Sequence, residues 1–168
     1  HEDNDIMLAA RSGKCIRFPV TDVRVFVGRN STGVRGIKLA EGDEVISMSI
    51  LLHSDATSEE RDEYARIASA IKRISAERGD DSCVSPEDTG LLNVLTTEKY
   101  KEMAEREQFI LSVTSTGYGK RTSSYEYRVT GRGGQGIANM EMSARNKEIV
   151  SSFPICLLYT SPSPRDRQ

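Results

Sequence analysis

The chain has 168 residues, 37% of them hydrophobic and 29% charged, with a formal net charge of −2. That length carries one core-bearing domain rather than a two-domain enzyme, and apolar runs of only a few residues exclude a membrane-spanning helix. No basic-then-apolar leader opens the chain, so no secretory signal is expected; it starts at His1, without a methionine, directly before a strand, and reads as a cut piece.

Ile6 to Ala10 reads as a short apolar strand, Ser12-Gly13 as a turn, and Cys15 to Phe18 as a second strand stopped by Pro19. A loop through Gly28-Arg29-Asn30-Ser31-Thr32 leads to Gly33-Val34-Arg35-Gly36-Ile37-Lys38-Leu39, expected as a third strand. Glu41-Gly42-Asp43 then turns the chain into Glu44 to Ile50, where Ile46, Met48 and Ile50 alternate onto one face. Residues 1–50 balance 7 Lys/Arg against 7 Asp/Glu.

Residues 54–106 have a different character. Thr57 and Glu60 form a predicted capping box, and Tyr64, Ile67, Ile71 and Ile74 then fall on one helical face. Gly79 to Gly90 reads as a polar loop, and Thr97 is placed to cap a short helix through Ala104. Residues 51–107 carry 8 Lys/Arg against 14 Asp/Glu, a net −6. This is an acidic helical insertion, expected to fold its apolar stripe against the scaffold and to lie away from any basic surface.

The first layout then returns. Phe109 to Val113 is a strand, Thr116-Gly117 a turn, and Gly119-Lys120-Arg121 opens the next strand. Gly133-Gly134-Gln135-Gly136-Ile137 mirrors Gly33 to Ile37, and Arg145-Asn146-Lys147 turns into Glu148 to Phe153. Arg17 matches Arg121 at an offset of 104 and Gly36 matches Gly136 at 100, so the second unit is four residues shorter in the Val23–Thr32 loop. Two such units of about 50 residues, each expected to hold four short strands, are the mark of blade-type β repeats. Residues 108–155 hold 6 basic and 3 acidic residues, so the acidic middle is flanked by segments whose cations can act locally.

The last thirteen residues, 156–168, leave the pattern where a further strand is due. Rich in Ser and Pro, they resemble a translated sequencing adapter and are read as a non-biological or disordered tail, expected to be unordered and dispensable.

Enzyme chemistry is thinly represented. Cys15, Cys83 and Cys156 are odd in number and far apart, and His1 and His53 are the only histidines, which argues against zinc and disulfides and for a reducing cytoplasm. Gly131-Arg132-Gly133-Gly134-Gln135-Gly136 fits G-x-G-x-x-G, but Ile137-Ala138-Asn139-Met140 offers no helix-opening cap for a pyrophosphate, so a nucleotide site is a weak reading. A surface loop that brings backbone amides and Arg132 up to a phosphate backbone suits the sequence better, with a positive-φ turn as the plainer alternative. Repetition favours the DNA reading: Lys14, Arg17, Arg24, Arg29, Arg35 and Lys38 are answered by Lys120, Arg121, Arg128, Arg132, Arg145 and Lys147.

Val34-Arg35-Gly36-Ile37-Lys38-Leu39-Ala40-Glu41-Gly42-Asp43-Glu44-Val45-Ile46-Ser47-Met48 resembles the blade sequence of bacterial DNA gyrase A subunits. So do Gly13 to Phe18, Gly117 to Thr122, Glu126-Tyr127-Arg128 and Arg132 to Ile137. The resemblance covers residues 3–52 and 107–155, and the acidic insertion is similar to those of alphaproteobacterial gyrases. It implies an all-β fold with a helical insertion: two blades of a six-bladed β-pinwheel, at 1–53 and 107–155, whose positive edge wraps DNA. Thr130 to Gly136 keeps Arg132, Gly133, Gly134 and Gly136 of the family's Q-R-R-G-G-K-G box but has Gln135 for its lysine, as in a degenerate later blade.

The function that the resemblance implies is DNA binding and wrapping in support of ATP-dependent negative supercoiling. The twelve basic residues above are the expected DNA contacts, Lys14, Arg17, Arg35, Lys120, Arg121 and Arg132 along one outer edge. No catalytic residue, metal site or cofactor is expected in this stretch; cleavage, ATP and Mg belong to other regions of the holoenzyme. Double-stranded DNA and the gyrase B subunit, in an A2B2 assembly, are the implied partners, without a membrane and in the cytoplasm. The alternatives are the equivalent topoisomerase IV domain and a β-repeat scaffold that holds a protein through its acidic insertion.

Overall fold

Alternating short strands and glycine turns leave little room for local structure other than antiparallel hairpins, and the computed structural model is built from them. It describes residues 3–28, 30–78, 84–143 and 146–155. The chain divides into two compact units, one gathering the described residues of His1–His53 and Gln108–Gln168, the other Ser54–Glu107.

In the first unit, β1 (Asn4–Ala10), β2 (Lys14–Pro19) and β3 (Val45–Leu52) form one antiparallel sheet, with β1 central. β4 (Phe109–Thr114), β5 (Gly119–Ser123) and β7 (Ile149–Ile155) repeat it in a second sheet. Met7 pairs with Arg17 and Leu111 with Arg121, so counterparts lie 104 residues apart. Both centre strands shift register at the same place, Ala9/Ala10 opposite β3 and Val113/Thr114 opposite β7. The offset of 104 therefore holds again at Val45 and Ile149, so the four residues lost before Gly136 are regained before β7. The hairpin turns match as well: Gly13 and Gly117 have φ of 87° and 86°, a conformation that glycine adopts without a steric penalty.

The expected four-stranded units are not self-contained. The fourth strand of the first sheet is β6 (Ile137–Ala138), which comes from the second sequence unit and pairs with β2 at Lys14 and Cys15. The corresponding stretch of the first unit, Gly33 to Leu39, is not a strand. It packs instead on its own blade, with Ile37 and Leu39 against Ile16 and Phe18. A sequence pattern that suits a strand cannot form one without a partner edge.

The two blades stack through opposite faces. On β1 the odd residues Asp5, Met7 and Ala9 are buried, whereas on β4 the even residues Ile110, Ser112 and Thr114 are. Met7, Ala9, Cys15 and Leu51 of the first blade meet Ile110 and Tyr127 of the second in one core. A polar chain crosses the second blade's side of this seam: Tyr127 donates to Asn139 Oδ1 (2.5 Å), Asn139 Nδ2 to Ser112 Oγ (2.8 Å), and Ser112 and Ser152 share a hydrogen bond of 3.0 Å. The bulge also corrects the reading of β3. Ile46 turns to the seam, while Met48 and Ile50 stay on the outer, exposed face and Ser49 and Leu51 are the buried pair.

The second unit is helical. α1 (Ser58–Arg78) opens on the expected capping box, Thr57 N–H donating to Glu60 and Glu60 N–H to Thr57 Oγ1 (3.2 Å). Its buried residues are Glu63, Tyr64, Ile67 and Ala70, with Ile71 and Ile74 half-buried beside them. α2 (Thr97–Arg106) is capped by Thr96, whose hydroxyl accepts from Lys99 N–H, one residue earlier than expected. Tyr64 and Tyr100 stack with ring centroids 4.9 Å apart. Among the described residues no helix is long and apolar enough to cross a membrane.

Candidate nucleic-acid interface

The expected DNA contacts separate into three groups. Lys14, Arg24, Arg35, Lys38, Lys120, Arg121, Arg128 and Lys147 are exposed. Arg29 and Arg145 lie outside the described residues, as do Cys83, Cys156 and the expected tail of 156–168. Arg17 and Arg132 are committed to the fold.

Arg17 corrects the sequence reading most sharply. It sits on the odd face of β2, and its side chain is 2% exposed. Nε donates to Asp5 at 2.7 Å, Nη1 to the Ser124 carbonyl at 2.7 Å, and Nη2 to the Leu52 carbonyl at 2.8 Å. Asp5 is fully buried and also bonds His53 Nδ1 at 2.7 Å. A guanidinium so enclosed cannot reach a phosphate. The sequence showed a cation on a strand beside a glycine turn; it did not show that the strand's face is the joint between two blades.

Arg132 is half-buried and fastens its loop to the first blade. Nη1 donates to the Arg35 carbonyl at 2.6 Å and Nε to the Asp22 carbonyl at 3.2 Å. The glycine run around it is also engaged internally: Gly133 N–H donates to the Gly36 carbonyl at 2.7 Å, and the Gly134 carbonyl accepts from Lys38 N–H at 2.8 Å. Gly133 and Gly136 have φ of 83° and 74°, and a Cβ on Gly136 would strike the Cys15 carbonyl. The next element is β6, not a helix, so a dinucleotide site lacks the helix N-terminus it needs. The glycines serve a close backbone crossing between blades.

Register also changes which cations repeat. Only Arg17/Arg121 and Arg24/Arg128 are counterparts 104 residues apart; by the same count Lys14 corresponds to Tyr118 and Lys120 to Ile16. The anticipated rim of matched pairs through Lys14 and Lys120 is therefore not a strict repeat. The two lysines do converge on one stretch, since Lys14 pairs with Ala138 and Lys120 Nζ donates to the Asn139 carbonyl at 3.2 Å. Arg24 in the first blade and Arg128 in the second are both exposed. Arg128 lies between Tyr127, buried in the seam, and Val129, bridged to Arg17. Its exposure thus survives the docking of its segment onto the neighbouring blade. Arg24 spans its loop, donating to the Thr32 carbonyl at 3.0 Å and covering the Phe26 ring at 4.9 Å.

Comparison with known proteins agrees with this architecture. The family model described as "DNA gyrase C-terminal domain, beta-propeller" matches residues 4–51 and 108–155, which brackets the helical unit. The DNA gyrase A subunit of Granulibacter bethesdensis is 50% identical over 92% of this chain, and that of Rickettsia bellii 47% over 92%. The chain spans 17% and 16% of those two relatives. Two solved domains share the fold over 92% of the chain and 32% of their own: the DNA gyrase A C-terminal domain (TM-score 0.50, 18% identity) and that of DNA topoisomerase IV (TM-score 0.55, 17% identity). With its two blades, its fourth-strand exchange and these matches, the chain belongs to the DNA gyrase C-terminal domain family of β-propellers.

Proposed function

We propose that this chain forms part of the DNA-wrapping surface of a gyrase A subunit, binding double-stranded DNA through phosphate contacts while the cutting chemistry takes place elsewhere in the enzyme. The observation that carries this reading is the Arg24/Arg128 pair, which follows the matching 3-10 turns Val20–Asp22 and Ser124–Glu126 and, among the described residues, is the one set of expected contacts that both repeats 104 residues apart and stays exposed in each blade. A duplex laid across successive blades needs a cation at each step, and it bends only if those contacts offset several kcal/mol of elastic cost. Lys14, Arg35, Lys38, Lys120 and Lys147 add charge around that repeat; Arg17 is withdrawn from the contact set, and Arg132 acts on its loop.

The named relatives favour gyrase over topoisomerase IV. In the complete enzyme ATP and Mg would be bound by other regions, and the gyrase B subunit would join in an A2B2 complex in the bacterial cytoplasm. Each phosphate contact releases about 0.9 of a counterion. Changing Arg24 and Arg128 together to Ala in the full-length protein should lower the slope of log affinity against log salt by roughly two. The loss should be equal on unrelated duplexes, because phosphate contacts carry no base readout. An unchanged slope with normal supercoiling would refute the assignment.

A further inference from the structure

The joint between the two blades is asymmetric: one blade presents the odd face of its sheet, the other its even face with the turn after β5. A head-to-tail joint leaves its two halves unmatched at the ends of any stack. The donor half in the first blade is Arg17. The acceptor half in the second is the 3-10 turn Ser124–Glu126 with the residue that closes it, Tyr127; the Ser124 and Tyr127 carbonyls receive Arg17 Nη1 at 2.7 and 3.4 Å.

Both halves recur, and among the described residues neither copy is joined to a further blade, the first-blade turn meeting only the Arg132 loop at Asp22. Arg121 is the register counterpart of Arg17, on the odd face of β5. Around it Leu111, Val113 and Ile155 stand at the places of Met7, Ala9 and Leu51. The first-blade residues are all buried and none of these is; Phe153, at the place of Ser49, is 42% exposed. In the first blade the 3-10 turn Val20–Asp22 repeats Ser124–Glu126, down to the closing bond: Val23 N–H donates to Val20 at 3.0 Å as Tyr127 N–H does to Ser124 at 3.3 Å. One difference stands out. Phe109 replaces Asp5, and the Arg121 guanidinium lies 5.0 Å from its ring.

We propose that Arg121 is the latch of the next inter-blade joint, donating to the main-chain carbonyls at the 3-10 turn of a following blade of the same repeat, and is not a DNA contact. The occupant is specified by the joint already present, because the open face carries the donor half of that joint in the same register. Phe109 fits this role: its face holds the fork flat without a carboxylate, leaving the N–H groups for carbonyl acceptors. The solved domains, of which this chain covers 32%, have the further length that such a blade requires.

The inference refines the proposed DNA surface by removing one cation from it, and the test keeps the two apart. In the full-length protein without DNA, Arg121→Ala and Arg121→Lys should each speed amide exchange in 119–123 about tenfold or more, since lysine lacks the planar fork. Neither should alter the salt slope of DNA binding at a temperature where the domain stays folded. Arg128→Ala serves as the phosphate control and should lower the slope by about 0.9 with exchange in 119–123 unchanged. A slope lowered by Arg121→Ala and restored by Arg121→Lys, or exchange unaffected by either variant, would overturn the latch. Failure of the Arg128→Ala control alone would count against the wrapping reading and leave the latch standing on its exchange result.

Discussion

A buried ion pair is worth little over an apolar replacement but is costly to break, because the surviving charge has no solvent. Arg17 and Asp5 are such a pair, at side-chain exposures of 2% and 0%. Arg17→Ala leaves the Asp5 carboxylate with His53 alone among the partners named above and strips a donor from two blades at once. It should cost about 3–5 kcal/mol, read as a lower urea midpoint for the domain. A simple DNA contact at this position would weaken binding with the midpoint unchanged. Cys15, next to this network, illustrates the same enclosure: burial pushes its thiol up to about 12, which makes it a packing residue with little nucleophilic character. In the sequence Arg17 has the look of a DNA contact, because a strand cation is the same letter whether its face meets water or another sheet.

Among the elements, the crossing from the second blade to β2 depends on one glycine more than on its neighbours. Gly136→Ala combines a φ of 74° with a clash at the Cys15 carbonyl, and should destabilise the domain by at least about 1–2 kcal/mol. Gly131→Ala, with open space around its Cβ and an ordinary φ, should stay within about 0.5 kcal/mol in the same unfolding experiment. Equal effects would remove the crossing as the reason for the glycines. In α1, Glu63 is 1% exposed and accepts from the Asn93, Val94 and Leu95 amides at 2.7–3.0 Å. Those three amides hold its carboxyl below the usual carboxylate range. A depressed folded pKa contributes stability that is present above the unfolded value and lost as pH falls through the folded one. The helical signal of residues 54–107 should therefore persist through about pH 4 and fall below it, and Glu63→Gln should flatten that dependence. The hairpins, the α1 cap and most of the apolar stripe were legible because they obey local periodicity, whereas the bulges in the centre-strand pairings were not. The exchange of β6, the missing strand over Gly33 to Leu39 and the outward turn of Met48 and Ile50 were not, since each depends on which sheet edge or face is adjacent.

At the scale of the molecule, the helical unit interrupts a repeat without supplying any of its strands. The matched family segments end at Leu51 and resume at Gln108, and the compact units divide at His53 and Gln108. The two ends of the interruption are tied together within the first unit: Leu52 N–H donates to Gln108 Oε1 at 2.7 Å, and the Gln108 carbonyl accepts from Ser124 N–H at 2.8 Å. A loop whose ends are already adjacent can be shortened at little entropic cost, because closure entropy varies only slowly with length. The unit also carries a net −6, and like charge repels phosphate within a Debye length of about 8 Å at physiological salt. Replacing Ser54–Glu107 by a short Gly/Ser linker in the full-length protein should therefore leave the β-sheet signal and urea midpoint of the blades near their starting values. DNA affinity at moderate salt should be equal or higher, with any gain shrinking as salt rises, since it would come from relieved repulsion rather than new contacts. A large loss of affinity at every salt concentration would mean that the helical unit itself touches DNA or holds the blades in place, and would return the scaffold reading to consideration.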